Sequence, residues 1–207
     1  MHLEHWREAF SSLTEAVKHN RDSWHTWDNY STVAVKVDAW QTAINAVSRV
    51  VTLSHGKRIN LEVMGALVER ASQLTTDSQL TNAVGHLLKQ IASTAAADSE
   101  FWVLYARYYY RCVGEKDAAA ECLMKRVRGL QGYQWKEEEG AFVAYATACI
   151  DLCKMYLEMK KTKELGSGRM LIRGALKSAE ERFSDHDLYK ELQKLLADIQ
   201  EEIEKGQ

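Results

Sequence analysis

Six apolar residues near the start of the chain recur 34 positions later. Trp6, Ala9, Phe10, Leu13, Ala16 and Val17 fall on Trp40, Ala43, Ile44, Val47, Val50 and Val51. Within each copy the spacing follows one face of a 3.6-residue helical period. An internal repeat of this length constrains the fold more than local propensity does. Each unit must be one supersecondary element that buries its apolar face against a neighbour.

The stretch between the copies supplies the rest of the unit. A tetratricopeptide repeat reads W-x2-L-G-x2-Y on its first helix, A-x3-F on its second, and proline at its end. Here Trp27, Tyr30, Ser31 and Ala34 fill the first helix, and Ala43 and Val47 fill the second. His55 stands at the proline position. Small residues at Ser31 and Ala43 let two helices approach, and Trp27 and Tyr30 fill the space between layers. Asp38, in the turn, is expected to cap the second helix, and Asp22 the first. The first-helix pattern returns as Trp102, Tyr105, Ala106 and Tyr109, 75 residues after Trp27 and so not at twice the period.

These patterns predict an all-α fold, a tetratricopeptide-like α-solenoid of stacked helical hairpins with about ten helices and no β-sheet. The reading is one helical-repeat domain, 1–207. It comprises an orphan second helix at 3–19, a clear repeat at 23–53 and an irregular pair at 60–93. A second clear repeat at 98–129 follows, then a long helix from 134 and capping helices to 205. The helix at 3–19 matches a second helix, so the chain is either a piece of a longer array, the favoured expectation, with upstream repeats before it, or a stack that its first helix caps unaided. Asn60 and either Asp98 or Ser99 are expected caps, Gly56 and Gly114 expected stops, and 75–78 a polar turn.

Composition agrees. Proline is absent, glycine numbers 11, and 46% of residues are hydrophobic, enough for a core with few helix breakers. A net charge of −2, with 27% charged residues of both signs, gives no basic stripe for nucleic acid. No uninterrupted apolar run suggests a membrane span. Four cysteines without framework spacing point to a reducing compartment, cytoplasm or nucleus.

WDNY at 27–30, DAWQTAI at 38–44 and EFWVLYA at 100–106 resemble the C-terminal part of the tetratricopeptide repeat protein 27 family. The resemblance extends over nearly the whole chain and is loosest in the middle pair and the tail. It implies a non-enzymatic scaffold within a larger helical protein. It also implies a link to spliceosomal and ribosomal ribonucleoprotein assembly, alongside heat-shock chaperone machinery.

Candidate chemistry is sparse. Cys149 and Cys153, one helical turn apart, have a spacing that binds metal, but they read as a buried helix face. His2 and His5 read as a terminal pair, not a chelate. Glu137 to Glu139 reads as a dipole complement at a helix start. Tyr108, Tyr109 and Tyr110 point in different directions and form no stacking platform. No catalytic residue, metal site or cofactor is expected. The groove of the first clear repeat is assigned to His25, Asn29, Thr32 and Lys36. A carboxylate clamp of the kind that grips chaperone tails is rejected, because His25, Glu100 and Leu104 stand where it needs cations and amides. The function expected is a protein–protein interaction scaffold. The alternative is a helical-repeat RNA-binding module, which needs a regular polar code over many units. Trp27 and Trp102 are expected to be buried between helices.

Overall fold

The computed structural model describes residues 2–74, 78–94 and 98–205. Residues 75–77 of the expected polar turn lie outside the described residues, as does the side chain of His2. The described chain forms ten α-helices and no strand. They are α1 (His2–His19), α2 (Trp24–Lys36), α3 (Trp40–Leu53), α4 (Leu61–Ser72) and α5 (Gln79–Ala92). Then come α6 (Ser99–Tyr108), α7 (Lys116–Leu130), α8 (Glu139–Met159), α9 (Thr162–Phe183) and α10 (Asp187–Lys205). A π-helical turn (Tyr109–Val113) extends α6, and a 3-10 turn (Tyr133–Lys136) precedes α8.

Local chemistry sets most boundaries. Asn60 accepts from the Val63 amide at 3.1 Å, and Asp98 from the Phe101 amide at 2.9 Å. Each satisfies one of the donors a helix leaves open at its start. Ser23 caps α2 through the Thr26 amide, in the place expected for Asp22. Asp38 does not cap α3. It takes a left-handed φ of +60° inside the turn, and Ala39 begins the helix without a side-chain cap. Gly56 and Gly114 adopt φ of +76° and +81°, where a side chain would be strained. The expected long helix from 134 begins instead at Glu139, after the 3-10 turn. Trp135 in that turn stacks on Tyr145 at 4.3 Å, which ties the turn to the helix that follows.

The chain divides into two compact units, 1–114 and 115–207. The boundary falls at Gly114, inside the span 98–129 read as one repeat.

In the first unit α2 and α3 form a tight hairpin, α4 packs on both α2 and α6, and α5 packs on α3 and α4. First helices therefore lie beside first helices, and second beside second. The middle pair takes part fully, and the sequence holds the reason. Leu61, Met64, Gly65 and Val68 stand 34 residues after Trp27, Tyr30, Ser31 and Ala34. Met64 and Val68 are fully buried, and Gly65 faces Leu104 of α6. Gly85 on α5 plays a similar part. A Cβ there would lie 2.3 Å from the Tyr108 hydroxyl, which donates to the Thr81 carbonyl at 3.1 Å.

In the second unit α8 is central, packed by α7, α9 and α10. It is long and apolar enough, by length and composition, to cross a membrane, although no such run was expected. Its buried residues instead face the other helices, among them Phe142, Tyr145, Cys149, Leu152 and Cys153. Gly168 of α9 lets Cys153 and Tyr156 approach closely; an added Cβ would be 3.2 Å from each. Arg126, 7% exposed, meets Asp151 at 2.7 Å. On α10, Leu192, Leu195 and Ile199 are buried, and Leu188, Leu196 and Ile203 partly so.

Candidate protein-binding surface

The four residues assigned to a groove share one side of α2. His25, Asn29 and Lys36 are exposed and Thr32 is half-buried. Their surroundings explain why this side is ordered yet polar. The His25 ring stacks on Trp24 at 3.5 Å, and the Arg58 guanidinium lies over Trp24 at 5.2 Å. The Asn60 amide that caps α4 also reaches back to α2. Its Nδ2 donates to Asp28 Oδ1 at 3.0 Å and to Thr32 Oγ1 at 3.3 Å. One residue thus starts a helix and fixes it against its predecessor. Lys36 reaches Glu62 at 3.7 Å, and Arg111 reaches Glu69 at 3.3 Å. These exposed ion pairs add little stability, but they place both charge signs along α2, α4 and the end of α6.

The structure thereby joins Glu62, Glu69 and Arg111 to the face begun by His25, Asn29, Thr32 and Lys36. Sequence reasoning missed these three. The signal was present for one: Arg111 lies 75 residues after Lys36, the same offset that relates Trp102 to Trp27. Asn60 was read as a cap only, because its second role depends on a neighbour 32 residues away.

The repeat residues hold the hairpins. Tyr30, Ser31, Ala34, Ala43, Val47, Tyr105 and Ala106 are buried, and Tyr109 is half-buried with its ring stacked on Tyr105 at 4.8 Å. The two tryptophans differ from expectation. Trp27 and Trp102 are half-buried. Beside Trp102 it is Phe101 that is fully enclosed. An indole carries a polar edge, and Trp27 uses it, donating Nε1–H to the Arg21 carbonyl at 2.9 Å.

No arrangement of acid, base and nucleophile emerges from this surface. Among the described residues no three His, Cys, Asp or Glu side chains gather as a metal site. A cleft of about 420 Å³ in the second unit is lined by Asp117, Glu121, Met124, Arg128, Tyr156 and Glu164, a mixed wall of both signs. All four cysteines are unpaired and buried. Burial pushes the Cys149 thiol up to about 12 and that of Cys122 up to about 11, and it raises Cys153 and Cys112 as well. Thiolate is the reactive form, so native protein at pH 8 should label slowly with a maleimide and fully once denatured. The linked effect on stability has a definite sign. A folded thiol held above its ordinary value near 9 favours the folded state below that pH. That contribution fades as pH climbs from about 9 towards 12. Urea midpoints should therefore fall above pH 9, and Cys149→Ala should flatten that fall. Rapid labelling of Cys149 in the native protein would contradict its placement.

Comparison with known proteins supports the repeat reading. No family model matches the chain. It is 24% identical to a tetratricopeptide repeat protein 27 homologue from Dictyostelium discoideum, over 87% of this chain and 22% of that protein. It is 26% identical to a TPR repeat-containing protein of Schizosaccharomyces pombe, over 51% of this chain and 14% of that one. It is 28% identical to the Saccharomyces cerevisiae protein named "Essential for maintenance of the cell wall protein 1", over 74% of this chain and 18% of that one. The chain thus spans less than a quarter of the length of each relative. The resemblance to the tetratricopeptide repeat protein 27 family is borne out, and the all-α fold of helical hairpins agrees with it.

Proposed function

We propose that the chain is a protein-binding scaffold, acting as one helical-repeat segment of a longer protein. The observation that carries this reading is the face made by α2, α4 and the end of α6. Successive first helices there lie side by side, tied by Asn60, with the Lys36–Glu62 and Arg111–Glu69 pairs bridging their exposed edges. Asn29 and His25 remain exposed on it. A rigid, mixed-charge surface spanning several helices suits an extended protein segment, because a preorganised surface loses little entropy on binding. It carries no chemistry of its own, which favours a role without catalysis. The resemblance supports a finer reading: assembly of spliceosomal or ribosomal particles, linked to heat-shock chaperones. The four buried thiols suit the cytoplasm or nucleus, where thiols stay reduced.

Affinity capture with the full-length protein tests the scaffold. Substituting Asn29→Ala, Lys36→Ala and Arg111→Ala together should release captured proteins with at most a small change in melting temperature, since all three sites are exposed and such ion pairs add little stability. An unchanged set of retained proteins would remove this face from the proposal. Filter binding with mixed RNA separates the alternative. Micromolar retention that weakens steeply with salt would make the chain an RNA-binding module instead.

A further inference from the structure

A cleft of about 270 Å³ lies between α5 and the end of α6, walled wholly by residues of the first unit. That volume is below the range of small-molecule pockets and holds about one side chain. Its α5 wall is polar. Asn82, His86 and Lys89 share one face of the helix and are all exposed. Their side chains make no hydrogen bond, ion pair or ring contact among the described residues. Gly85 lies between them and leaves the space that the Tyr108 hydroxyl fills. The opposite wall is aromatic. Tyr109 stacks on Tyr105, meets Tyr108 edge-on at 5.8 Å, and brings its hydroxyl within 3.0 Å of that of Tyr105. Val113 completes this wall. The rings sit where α6 passes into a π-helical turn, a rare distortion found mostly at functional sites.

No carboxylate lines the cleft. Helix α5 carries no Asp or Glu along its length. Glu100 and Glu115, which flank the aromatic wall in sequence, are not among the lining residues. Lys89 is the one fixed cation, and the Asn82 amide, the His86 ring N–H and the phenols add donors without a fixed charge. Unpartnered donors, a single cation and no acid, around room for one side chain, match a group with one negative charge and acceptor oxygens.

We propose that this cleft receives an Asp or Glu side chain from a segment of a partner protein. Lys89 supplies the opposite charge, Asn82 donates to the carboxylate, and Val113 with the ring edges covers the methylenes behind it. A phosphate dianion calls for a second fixed cation. A nucleobase calls for an open ring face, but Tyr105 and Tyr108 are each only 7% exposed and Tyr109 is stacked. Asn29, Lys36 and Arg111 do not line the cleft, so this site and the α2–α4–α6 face are tested by separate variants.

The isotope-labelled full chain is titrated with a glycine–serine nonapeptide, blocked at both ends, with Leu-Glu-Leu at its centre. Amide NMR shifts locate the binding. The same peptide with glutamine, the same with phosphoserine in place of glutamate, and a uridine-rich RNA oligonucleotide serve as comparisons. The expected result is a dissociation constant of about 1 mM or tighter, with shifts centred on Asn82, His86, Lys89 and Tyr109. The glutamine peptide should bind at least ~5-fold more weakly. Lys89→Met, which keeps the stem and loses the charge, should weaken the glutamate peptide ~5-fold or more. Asn82→Ala should weaken it too, and neither variant should lower the melting temperature, because neither side chain has a partner in the fold. Weaker binding than about 1 mM, shifts centred elsewhere, or equal binding of the glutamine peptide overturns the proposal. Indifference to Lys89→Met overturns it as well, as does tighter binding of the phosphoserine peptide or of RNA.

Discussion

Phe142→Ala should destabilise the protein by about 3–5 kcal/mol, the range for removing a large aromatic from a packed core. The ring is 1% exposed and stacks on Phe183 of α9 at 4.3 Å, with planes only 8° apart. The His186 ring meets its edge at 5.3 Å, just before α10 begins. Truncation therefore empties a space bordered by the second unit's central helix and by the ends of two others, and three helices cannot all close around it. Urea unfolding measures the loss. Phe142→Leu keeps most of the volume and should cost about 1–1.5 kcal/mol. Adding Phe183→Ala to Phe142→Ala should cost less than the sum of the two single losses, because the rings are each other's neighbours. A loss below ~1.5 kcal/mol for the alanine variant would mean that α8 and α9 do not meet through this pair.

The first unit was legible because its constraint is periodic. The offset of 34 that joins α1 to α3 depends on which residues pack, and packing is what repeats. The middle pair escaped because Leu61 replaces tryptophan and Met64 replaces tyrosine. Only Gly65 and the spacing remain of the pattern, and the structure shows that the small residue and the spacing suffice. Cap positions were half legible. A side chain that accepts from an amide three residues on, like Asn60 or Asp98, leaves a local trace. Asp38 fits that trace equally well, but the short turn forces it to φ +60°. The candidate surface was the hardest part. His25, Asn29, Thr32 and Lys36 follow from helical spacing, whereas Glu62 and Glu69 enter it only through the lateral packing of α4. The second unit has no repeat signature, so its helices could be read and their arrangement around α8 could not. The start of α8 was missed because Trp135 and Lys136 continue an apparent helical pattern that the 3-10 turn interrupts.

Trp27→Ala should cost about 2–4 kcal/mol, somewhat less than for a fully enclosed tryptophan, because the side chain is only partly buried. Its more telling effect is local. Trp27 packs with Phe10 and Leu13 against the cluster of Val17, Tyr30 and Ala46, which joins α1, α2 and α3. Helix α3 is held on several sides: Ala43, Ile44, Val47, Val50 and Val51 are each at most 6% exposed. In the matching register of α1, Trp6 is 37% exposed, Ala9, Phe10, Leu13 and Ala16 are half-buried, and only Val17 is buried, at 7%. Within its unit α1 therefore depends on α2, through Phe10 stacked on Tyr30 at 5.2 Å and the Thr14 and Tyr30 hydroxyls 3.1 Å apart. Local opening free energy tracks buried apolar contact, so α1 should exchange its amide hydrogens faster than α3 in the unaltered protein. Removing the indole loosens the cluster against which Phe10 and Leu13 also pack, and α1 should lose most of its remaining protection while α3 keeps its own. Hydrogen exchange on both proteins reads this directly. Equal protection of α1 and α3 before substitution, or a uniform loss across all three helices after it, would show that Trp27 is not what fastens α1 to the repeat.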